Sequence, residues 1–394
     1  MSIAKKIEAV IEKSSWIRKM FEEGARLKAE HGTDKVFDFS LGNPNLSPPA
    51  VFEKTLAAVV ASEEAKNHGY MPNPGYPHVR EAVAAAVARD HGIPLTGNEL
   101  IMTCGAAGAL NVTLKTLLDP GDEVITPAPY FVEYNAYADN HGGVLKIVNT
   151  HPDFSLDLEA VAAAITEKTK AVLINSPNNP TGQVYPAEDL QALGTLLKEK
   201  SAALNRTIYL LSDEPYRKIV YDGVQVPSIF QAYPESIVAT SFSKDLSIPG
   251  ERLGYIAVNP EASHKDRLLA GMTLANRILG FVNAPALMQR TVARMLGEAT
   301  VDVSQYARKR QLLCDGLAEC GYQFVKPPGA FYLFPKCPIP DDVEFVRVLQ
   351  EELILAVPGS GFGGPGHFRL AFCVEDAVIT GAIPGFRRVI EKFK

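Results

Sequence analysis

One lysine, Lys244, stands among small hydroxyl residues in the stretch Ser241-Phe-Ser-Lys-Asp-Leu-Ser-Ile-Pro-Gly-Glu-Arg252. The apolar run Ile237-Val-Ala precedes this stretch and Gly254-Tyr-Ile-Ala-Val follows it, so the lysine is predicted to lie in a turn between two strands. Burial between strands would remove water from the ammonium group, lower its pKa and suit it to act as a Schiff-base nucleophile. The hydroxyl groups and Arg252 are suited to bind a phosphate. A buried lysine taken alone is more often part of a structural ion pair, so the interpretation depends on the rest of the chain.

Length and composition indicate a globular protein of more than one core. The chain has 394 residues, so two domains are expected. The net charge of −6 argues against non-specific binding to nucleic acids or to a membrane surface. The five cysteines contain no Cys-X-X-Cys pair, which favours a reducing, cytoplasmic location over a disulfide framework. We find no signal peptide and no apolar run of about 18 residues, so no membrane span is expected. Neither HExxH nor paired CxxC occurs, so no catalytic metal is expected.

Strands and helices alternate between about residues 36 and 258, a pattern typical of an α/β fold with a largely parallel sheet. Strands are predicted at 36–41, 100–103, 123–126, 144–148, 170–175, 207–212, 237–239 and 254–258. Helices are predicted at 1–30, 48–66, 78–91, 104–118 and 187–200. After about residue 283 a long helix over roughly 285–316 is predicted to lead into a smaller α+β portion. The predicted domains are therefore a large domain, 48–284, and a small domain made of 1–47 and 285–394.

Several candidate site residues stand where predicted strands end, and ligands bind at that edge of open α/β sheets. One strand leads into Cys104-Gly-Ala-Ala-Gly, whose free backbone N–H groups at a helix start can bind an anion, although the same small residues also suit close packing. Tyr130 and Phe131 follow the next strand. Asn179 lies in a proline-rich turn, and Asp213 is interpreted either as a helix cap or as a site carboxylate.

Two further residues stand out against their surroundings. The loop Tyr70-Met-Pro-Asn-Pro-Gly-Tyr-Pro is too rich in proline to be helical, so it is either a rigid connector or a loop that presents Tyr70 to its own site or a partner's. Arg369 interrupts the apolar strand His367-Phe-Arg-Leu-Ala-Phe. A buried arginine needs a carboxylate partner, which is either a protein acid or a substrate.

This set of residues is what a phosphorylated aromatic aldehyde requires. The lysine forms an imine with the aldehyde, and the aspartate holds a protonated ring nitrogen so that the ring withdraws electrons. An aromatic side chain stacks on the ring face. Backbone amides, a serine and an arginine bind the phosphate.

Six motifs in a fixed order give the chain a resemblance to the class I/II aminotransferases, which are pyridoxal-phosphate enzymes of fold type I in the aspartate aminotransferase superfamily. The motifs are Ser176-Pro-Asn-Asn-Pro-Thr-Gly182, Ser212-Asp-Glu-Pro-Tyr216, Ser241-Phe-Ser-Lys244, Gly250-Glu-Arg-Leu-Gly254, Pro328-Gly-Ala-Phe-Tyr332 and Phe368-Arg369-Leu. The resemblance covers nearly the whole chain. It implies a mostly parallel seven-stranded sheet in a large domain, plus a smaller α+β domain.

The resemblance also implies roles for the cofactor-binding residues. Lys244 would form the Schiff base with pyridoxal 5'-phosphate and move the proton at the substrate's α-carbon. Asp213 would pair with the pyridinium nitrogen, and Asn179 and Tyr216 would hydrogen-bond the 3′-oxygen. The phosphate would be bound by Gly105, Ala106, Ala107, Ser241 and Arg252. Alanines stand at 106 and 107 where relatives often have serine or threonine.

Further implied roles concern the substrate and the neighbouring subunit. Phe131 would stack on the ring and contact the substrate, with Tyr130 as the alternative; many relatives have tryptophan or tyrosine there. Arg369 would clamp the substrate's α-carboxylate, with Gly42 and Asn179 close to the same group. Tyr70 would reach the phosphate of the neighbouring subunit, which implies a homodimer with shared active sites.

The implied activity is transfer of the amino group of an L-amino acid to a 2-oxo acid, with 2-oxoglutarate as the expected acceptor and aspartate- or alanine-type donors favoured. A β- or γ-lyase, or an enzyme similar to 1-aminocyclopropane-1-carboxylate synthase, would share the same cofactor residues. A non-catalytic regulator is not expected, because no segment for a DNA-binding domain is evident. The donor remains open between two possibilities: a cation such as Arg277 or Arg290 at the side-chain end of the pocket, or an apolar pocket. The candidates for an apolar pocket are Leu279, Phe281 and Val282.

Overall fold

The computed structural model describes residues 3–12, 16–62, 68–297 and 300–394. Its strands are β1 (Phe37–Asp38), β2 (Leu100–Thr103), β3 (Glu123–Ala128), β4 (Val144–Asn149), β5 (Thr169–Asn175), β6 (Tyr209–Asp213), β7 (Ser236–Ser241), β8 (Gly254–Val258), β9 (Tyr332–Leu333), β10 (Ile354–Leu355), β11 (Val357–Pro358) and β12 (Phe368–Ala371). Its helices are α1 (Lys5–Glu12), α2 (Trp16–His31), α3 (Val51–Ala61), α4 (Pro77–His91), α5 (Gly105–Leu117), α6 (Tyr134–Asp139), α7 (Leu158–Ala164), α8 (Ala187–Ala203), α9 (Ile229–Ala232), α10 (Lys265–Ile278), α11 (Ala286–Ala293), α12 (Val303–Cys320), α13 (Asp342–Glu351) and α14 (Asp376–Glu391).

A seven-stranded sheet forms the centre of the molecule, with the strand order β2-β8-β7-β6-β5-β3-β4. Neighbouring strands from β4 to β7 are parallel, whereas β8 is antiparallel to both β7 and β2. The carboxyl ends of the parallel strands therefore meet at one edge. The predicted α/β fold with a mostly parallel sheet is confirmed.

Apolar residues fill both faces of this sheet, as expected for parallel strands covered by helices. Because successive side chains of a strand point to opposite faces, Val172 and Ile174 of β5 belong to one hydrophobic core, and Ala171 and Leu173 belong to the other. Residues of α4, α8 and α11 pack on the first face, and residues of α5, α6 and α10 pack on the second. The result is a three-layer arrangement that leaves only the strand ends free for a site.

A separate core joins the beginning of the chain to its end. Phe39 packs there with Phe331, Phe368 and Phe386. This core is built on the three-stranded sheet β11-β12-β9 and on the parallel pair β1-β10. The chain segment that follows β1 is thereby held beside β12, which carries Arg369.

The predicted long helix over roughly 285–316 is wrong, because the structure has two helices there, α11 and α12. Gly297 adopts a left-handed φ of +93°, and Asp302 then caps α12 by accepting a hydrogen bond from the Ser304 backbone N–H at 3.1 Å. The two helices pack in different cores: Met288 of α11 lies in the core of the large sheet, and Leu313 of α12 lies in the separate core. The division of the chain into 48–284 and the remainder stays a prediction.

Most other predicted elements are confirmed within a few residues, and three are shorter or divided. The predicted strand at 36–41 is reduced to β1, and the predicted helix at 1–30 is divided into α1 and α2. The helix predicted at 48–66 ends at Ala61 because Ser62 is extended; residues 63–67 lie outside the described residues. In the part of the chain that the structure describes, no helix is both long and apolar enough to cross a membrane.

The start of β8 makes a close backbone contact that positions the candidate site. Gly254 lies between Thr103 of β2 and Ser241 of β7 in the sheet register. A Cβ atom at Gly254 would lie 2.3 Å from the Thr240 carbonyl oxygen and 2.9 Å from the Gly105 Cα. Only glycine therefore allows the first turn of α5 to approach the β7–β8 connection this closely.

We expect Gly254→Ala to destabilise the protein by about 1–3 kcal/mol, because the added methyl group has to displace backbone rather than a side chain. The measurement is the shift in unfolding temperature by calorimetry. Gly250→Ala is the matched control: Gly250 lies in the same connection, its φ is negative and no atom within 4 Å would meet its Cβ. Equal stability of the two variants would contradict the close-contact argument.

Candidate active site

A cavity of about 360 Å³ opens at the carboxyl ends of the parallel strands. Eleven of the predicted site residues line it, namely Gly42, Ala106, Ala107, Phe131, Asn179, Asp213, Tyr216, Ser241, Lys244, Arg252 and Arg369. The lining also contains Leu110, Glu133, Tyr137, Asn175, Pro215, Ser243, Pro249 and Tyr332, which were not predicted as site residues. Residues distant in the chain are thus brought together by the sheet.

Lys244 lies in the connection between β7 and β8, as predicted. Its Nζ donates a hydrogen bond to the Gly42 carbonyl oxygen at 2.9 Å and lies 5.7 Å from the centre of the Phe331 ring. Burial lowers the pKa of Lys244 to about 8, and the positive charges of Arg369 and Arg252 act in the same direction. A substantial fraction of this amine is therefore neutral near pH 8, the form that acts as a nucleophile or as a base.

Asp213 is the last residue of β6. Its Oδ2 accepts a hydrogen bond from the Tyr134 hydroxyl at 2.6 Å, whereas its Oδ1 is buried and has no hydrogen-bond partner among the described residues. Burial raises the pKa of Asp213 to about 7, the Tyr134 hydrogen bond acts against this rise, and Glu214 adds to it. The unpartnered oxygen is suited to a cationic N–H donor, which would favour the ionised carboxylate.

Arg369 is 2% exposed, in the middle of β12. Its Nη1 donates to Asn179 Oδ1 at 3.1 Å, and its Nη2 donates to the Ser40 carbonyl oxygen. The guanidinium lies over the rings of Tyr332 and Phe362, with its carbon 4.8 Å and 4.7 Å from their centres. Its Nε has no partner and no acid pairs with it among the described residues, so the carboxylate that this cation needs can come from a ligand.

The start of α5 and Arg252 form a cationic surface within the cavity. Gly105 has a left-handed φ of +71°, and a Cβ atom there would lie 3.0 Å from Arg252 Nη2. The guanidinium therefore lies directly against the amino-terminal turn of a 13-residue helix, which carries free N–H groups and the positive end of the helix dipole. Ser241 lines the same cavity. This arrangement is suited to a phosphate.

Two tyrosines complete the side of the cavity next to Arg369. Tyr216 and Tyr332 are both buried, and their hydroxyl oxygens are 2.8 Å apart, within hydrogen-bond distance. Burial is the main cause that raises the pKa of Tyr216 well above its ordinary value and that of Tyr332 to about 12, so both stay protonated at neutral pH. Tyr332 is the last residue of the motif Pro328-Gly-Ala-Phe-Tyr332. Its place in the site could not be predicted from that motif, because it depends on contact with Tyr216, which is 116 positions away in the chain.

The structure separates the two aromatic candidates that follow β3. Phe131 lines the cavity, whereas Tyr130 is buried, accepts a hydrogen bond from Asn135 at 2.7 Å and is not among the described lining residues. Tyr134 was not predicted. The sequence signal for Tyr134 is its spacing from Phe131. A residue three positions later, in the turn that begins α6, lies on the same side of the chain as Phe131.

The remaining predicted residues lie outside the cavity of this subunit. Tyr70 is 92% exposed. Arg290 is 5% exposed and donates to the Tyr76 hydroxyl at 2.6 Å, whereas Arg277 is exposed near the end of α10. Leu279 and Phe281 are half-buried against the core that contains α5 and α10. Val282 adopts a left-handed φ of +61° and is half-buried.

The comparison with known proteins identifies the family. The sequence profile of the family described as Aminotransferase class I and II matches residues 34–384. The chain belongs to this family. It is a pyridoxal-phosphate-dependent aminotransferase of fold type I, as the resemblance predicted, and the lyase alternative is not favoured.

Relatives and solved structures match along nearly the full chain. The aspartate/prephenate aminotransferase of Thermus thermophilus is 34% identical over 365 residues, covering 91% of this chain and 92% of the relative. The aspartate aminotransferase of Bacillus subtilis is 32% identical and the match covers 100% of both chains. The amino transferase of Eubacterium rectale has a TM-score of 0.97, 38% identity and 100% coverage of both chains. The Thermus thermophilus aspartate aminotransferase with maleate has a TM-score of 0.87, 30% identity and coverage of 99% and 100%.

The cavity residues of this aminotransferase fit the cofactor. Pyridoxal phosphate carries a ring nitrogen that becomes an N–H donor when protonated, and the buried, unpartnered Oδ1 of Asp213 lacks such a donor. Its phosphate matches the cationic surface of Arg252 and the α5 amino terminus. Its aldehyde reacts with an amine of lowered pKa, and Lys244 brings an amine with this property into the cavity.

In the cofactor-free protein we expect Asp213→Asn to raise the unfolding temperature at pH 8. The folded-state pKa of Asp213 is raised from 3.8 to about 7, so the stability linked to its proton is present below pH 4 and is lost as the pH rises through 7. A neutral amide avoids the cost of ionising this buried group. Calorimetry of both proteins from pH 8 down to pH 4 should show the difference shrinking as the pH falls.

The cofactor-bound proteins provide the control for that series. A protonated ring nitrogen would pair with the Asp213 carboxylate, so the wild type should then be the more stable protein at pH 8. A cofactor-free Asp213→Asn variant that is no more stable than the wild type at pH 8 would contradict the assignment of a buried, uncompensated carboxylate.

Proposed function

We propose that this aminotransferase moves the amino group of a small L-amino acid, of aspartate or alanine type, to a 2-oxo acid, with 2-oxoglutarate as the expected acceptor. The observation that supports it most directly is the buried Arg369, which has no acid partner among the described residues and lines the same cavity as Lys244. Amino acids and 2-oxo acids share a carboxylate next to the reacting carbon, and a guanidinium binds a carboxylate through two parallel hydrogen bonds.

The bound cofactor supplies an electron-withdrawing ring that stabilises negative charge at the substrate's α-carbon. Lys244 would carry the proton at that carbon, since its lowered pKa keeps part of its amine neutral. For this step Nζ has to leave the Gly42 carbonyl oxygen that it contacts here. Arg369 and Asn179, already hydrogen-bonded to each other, would fix the α-carboxylate and so direct the α-carbon towards Nζ.

The other predicted roles concern cofactor binding. Asp213 would hold the ring nitrogen, and Tyr216 and Asn179 would hydrogen-bond the 3′-oxygen. Phe131 would stack on the ring. The phosphate would be held by Gly105, Ala106, Ala107, Ser241 and Arg252. The placement of these side chains in or beside one cavity supports these roles.

We also propose that the enzyme is a cytoplasmic homodimer whose active sites are shared. Tyr70 is too exposed to contribute to the cavity of its own subunit. The loop that follows it is fixed to the connection between α10 and α11, where Asn283 Nδ2 donates to the Pro72 carbonyl oxygen at 3.2 Å. Leu274 and Ile278 of α10 expose apolar side chains. These features support a subunit contact at which Tyr70 reaches the partner's phosphate.

The cores on the two faces of the large sheet, together with the separate core around Phe39, support two domains close to the predicted ones, 48–284 and 1–47 with 285–394. Helix α11 would count with the large domain, because Met288 and Val292 pack in the core of the large sheet.

The reaction is tested by adding single amino acids, without any 2-oxo acid, to the purified enzyme with its cofactor. A donor should convert the visible absorbance of the bound cofactor to that of its aminated form and release one 2-oxo acid per site. Lys244→Ala should lose both the visible band and all turnover, because no amine remains to bond the cofactor or move the proton. Release of ammonia with an unchanged cofactor spectrum, or turnover by Lys244→Ala, would contradict the proposal.

Hybrid dimers test whether Tyr70 serves the neighbouring subunit. Tyr70→Phe alone should weaken cofactor binding by about 10-fold or more, the cost of one hydrogen bond to a charged group. Coexpression of Tyr70→Phe and Lys244→Ala subunits with different tags should give hybrids with one wild-type site, and hence about half of the wild-type activity. If Tyr70 serves its own subunit, no wild-type site forms, and the hybrids should be no more active than the Tyr70→Phe homodimer.

A further inference from the structure

Glu133 is an acid in the cavity to which the reaction assigns no role. It lies between Phe131 and Tyr134, just before α6, and lines the cavity together with Arg369. Its Oε2 is buried and accepts no hydrogen bond from the described residues. Burial raises the pKa of Glu133, and the Arg369 guanidinium partly opposes this rise, so the two groups lie within electrostatic range of each other.

The other charged residues of the described cavity lining each have a partner on the cofactor or the substrate, and Glu133 does not. The charged lining residues are Glu133, Asp213, Lys244, Arg252 and Arg369. Four of them have partners in the reaction: the ring nitrogen, the aldehyde, the phosphate and the α-carboxylate. Glu133 is the fifth charged residue of the described lining and has no such partner, so it is available to interact with the side chain of the substrate.

We propose that Glu133 makes the cavity selective for amino acids with neutral side chains over dicarboxylic ones. The inference rests on the proposed function, because it takes Arg369 as the group that binds the α-carboxylate. Of the two donor types proposed above, it selects the alanine type and extends it to side chains that hydrogen-bond a carboxyl group, such as an amide. Because donor and acceptor occupy the same cavity in turn, it also favours a 2-oxo acid with a neutral side chain over 2-oxoglutarate as the acceptor.

The reason holds for both protonation states of Glu133. If the carboxylate is ionised, a second substrate carboxylate meets a like charge in a cavity of low dielectric constant. If Glu133 is protonated, it can donate a hydrogen bond to that carboxylate. The binding of a dicarboxylic substrate then depends on this proton, so its affinity falls as the pH rises and Glu133 ionises. A side-chain amide has neither cost, since it donates to an ionised carboxylate and accepts from a protonated one.

The test compares L-asparagine with L-aspartate, which have the same shape and differ in charge. In the wild type, kcat/KM for the conversion of the cofactor should be about 10-fold or more higher with asparagine. Glu133→Gln keeps the shape of the side chain and removes the charge, so this ratio should fall by about 10-fold, mainly through faster reaction of aspartate. Rates with L-alanine should change little, because its methyl side chain carries no charge and forms no hydrogen bond with a carboxyl group.

Glu133→Ala is the second variant and should move the ratio in the same direction. Glu167→Gln, which removes an exposed charge just before the start of β5, at the opposite end of that strand from the cavity, controls for the change in net charge. A wild type that prefers aspartate, as it would if a neighbouring subunit supplied a cation beside Glu133, would overturn the inference. So would an unchanged ratio in both Glu133 variants.

Binding without reaction separates this inference from the proposed function. Succinate and its monoamide, succinamate, match in size and do not react, so calorimetric titration of the cofactor-bound enzyme gives their dissociation constants directly. The wild type should bind succinamate about 10-fold or more tightly, and Glu133→Gln should remove most of that preference. If no amino acid converts the cofactor but this preference appears, the proposed reaction fails and the role of Glu133 stands; equal affinities in the wild type would contradict that role.

Discussion

Removal of water from charged groups at the carboxyl edge of the sheet is the constraint on which the site depends. Burial moves the pKa of Lys244 down to about 8 and that of Asp213 up to about 7. Both groups therefore change their protonation state within about one pH unit of each other, close to neutral pH. A surface lysine or aspartate has no such property. The parallel strands supply this burial at modest cost, because their backbone polar groups are paired along the ladder while the side chains at their ends converge in a single cavity.

The cations of the site are held by neutral acceptors, which keeps their charge available to ligands. Lys244 donates to the carbonyl oxygen of Gly42, and Arg369 donates to that of Ser40. A protein carboxylate in either place would compete with the substrate, whereas a backbone carbonyl satisfies a hydrogen bond and leaves the positive charge unneutralised. Both carbonyl groups belong to the segment after β1, which the separate core fixes through Phe39. Packing in this core, which reaches the cavity through Tyr216 and Tyr332, therefore sets where the site cations point.

Much of this arrangement could be predicted from sequence, because it depends on local patterns. Apolar runs predicted the strands of the sheet, and the positions just after those runs identified Asn179, Asp213 and Lys244 as candidate site residues. The failures are mostly non-local. Within 285–316 the local signals for a break are Gly297 and the cap Asp302, and the division into α11 and α12 also reflects packing in two different cores. The Tyr134 hydrogen bond to Asp213 joins residues 79 positions apart, and Tyr332 meets Tyr216 across 116 positions.

In the roles proposed above, donor choice and cofactor chemistry depend on different parts of the cavity, which explains why the motifs define the reaction more closely than the substrate. In the roles proposed for them, the motif residues would contact the cofactor and the two groups that all amino donors share, the amino group and the α-carboxylate. The cavity is also lined by residues outside the motifs, such as Leu110, Glu133 and Tyr137, and these are free to differ with the side chain of the donor. A single buried carboxyl group there changes the electrostatic potential that a side chain meets, yet it leaves the sheet and the six motifs intact. A chain about one-third identical to aspartate aminotransferases can therefore share their reaction class while its choice of amino acid is set by residues outside the motifs.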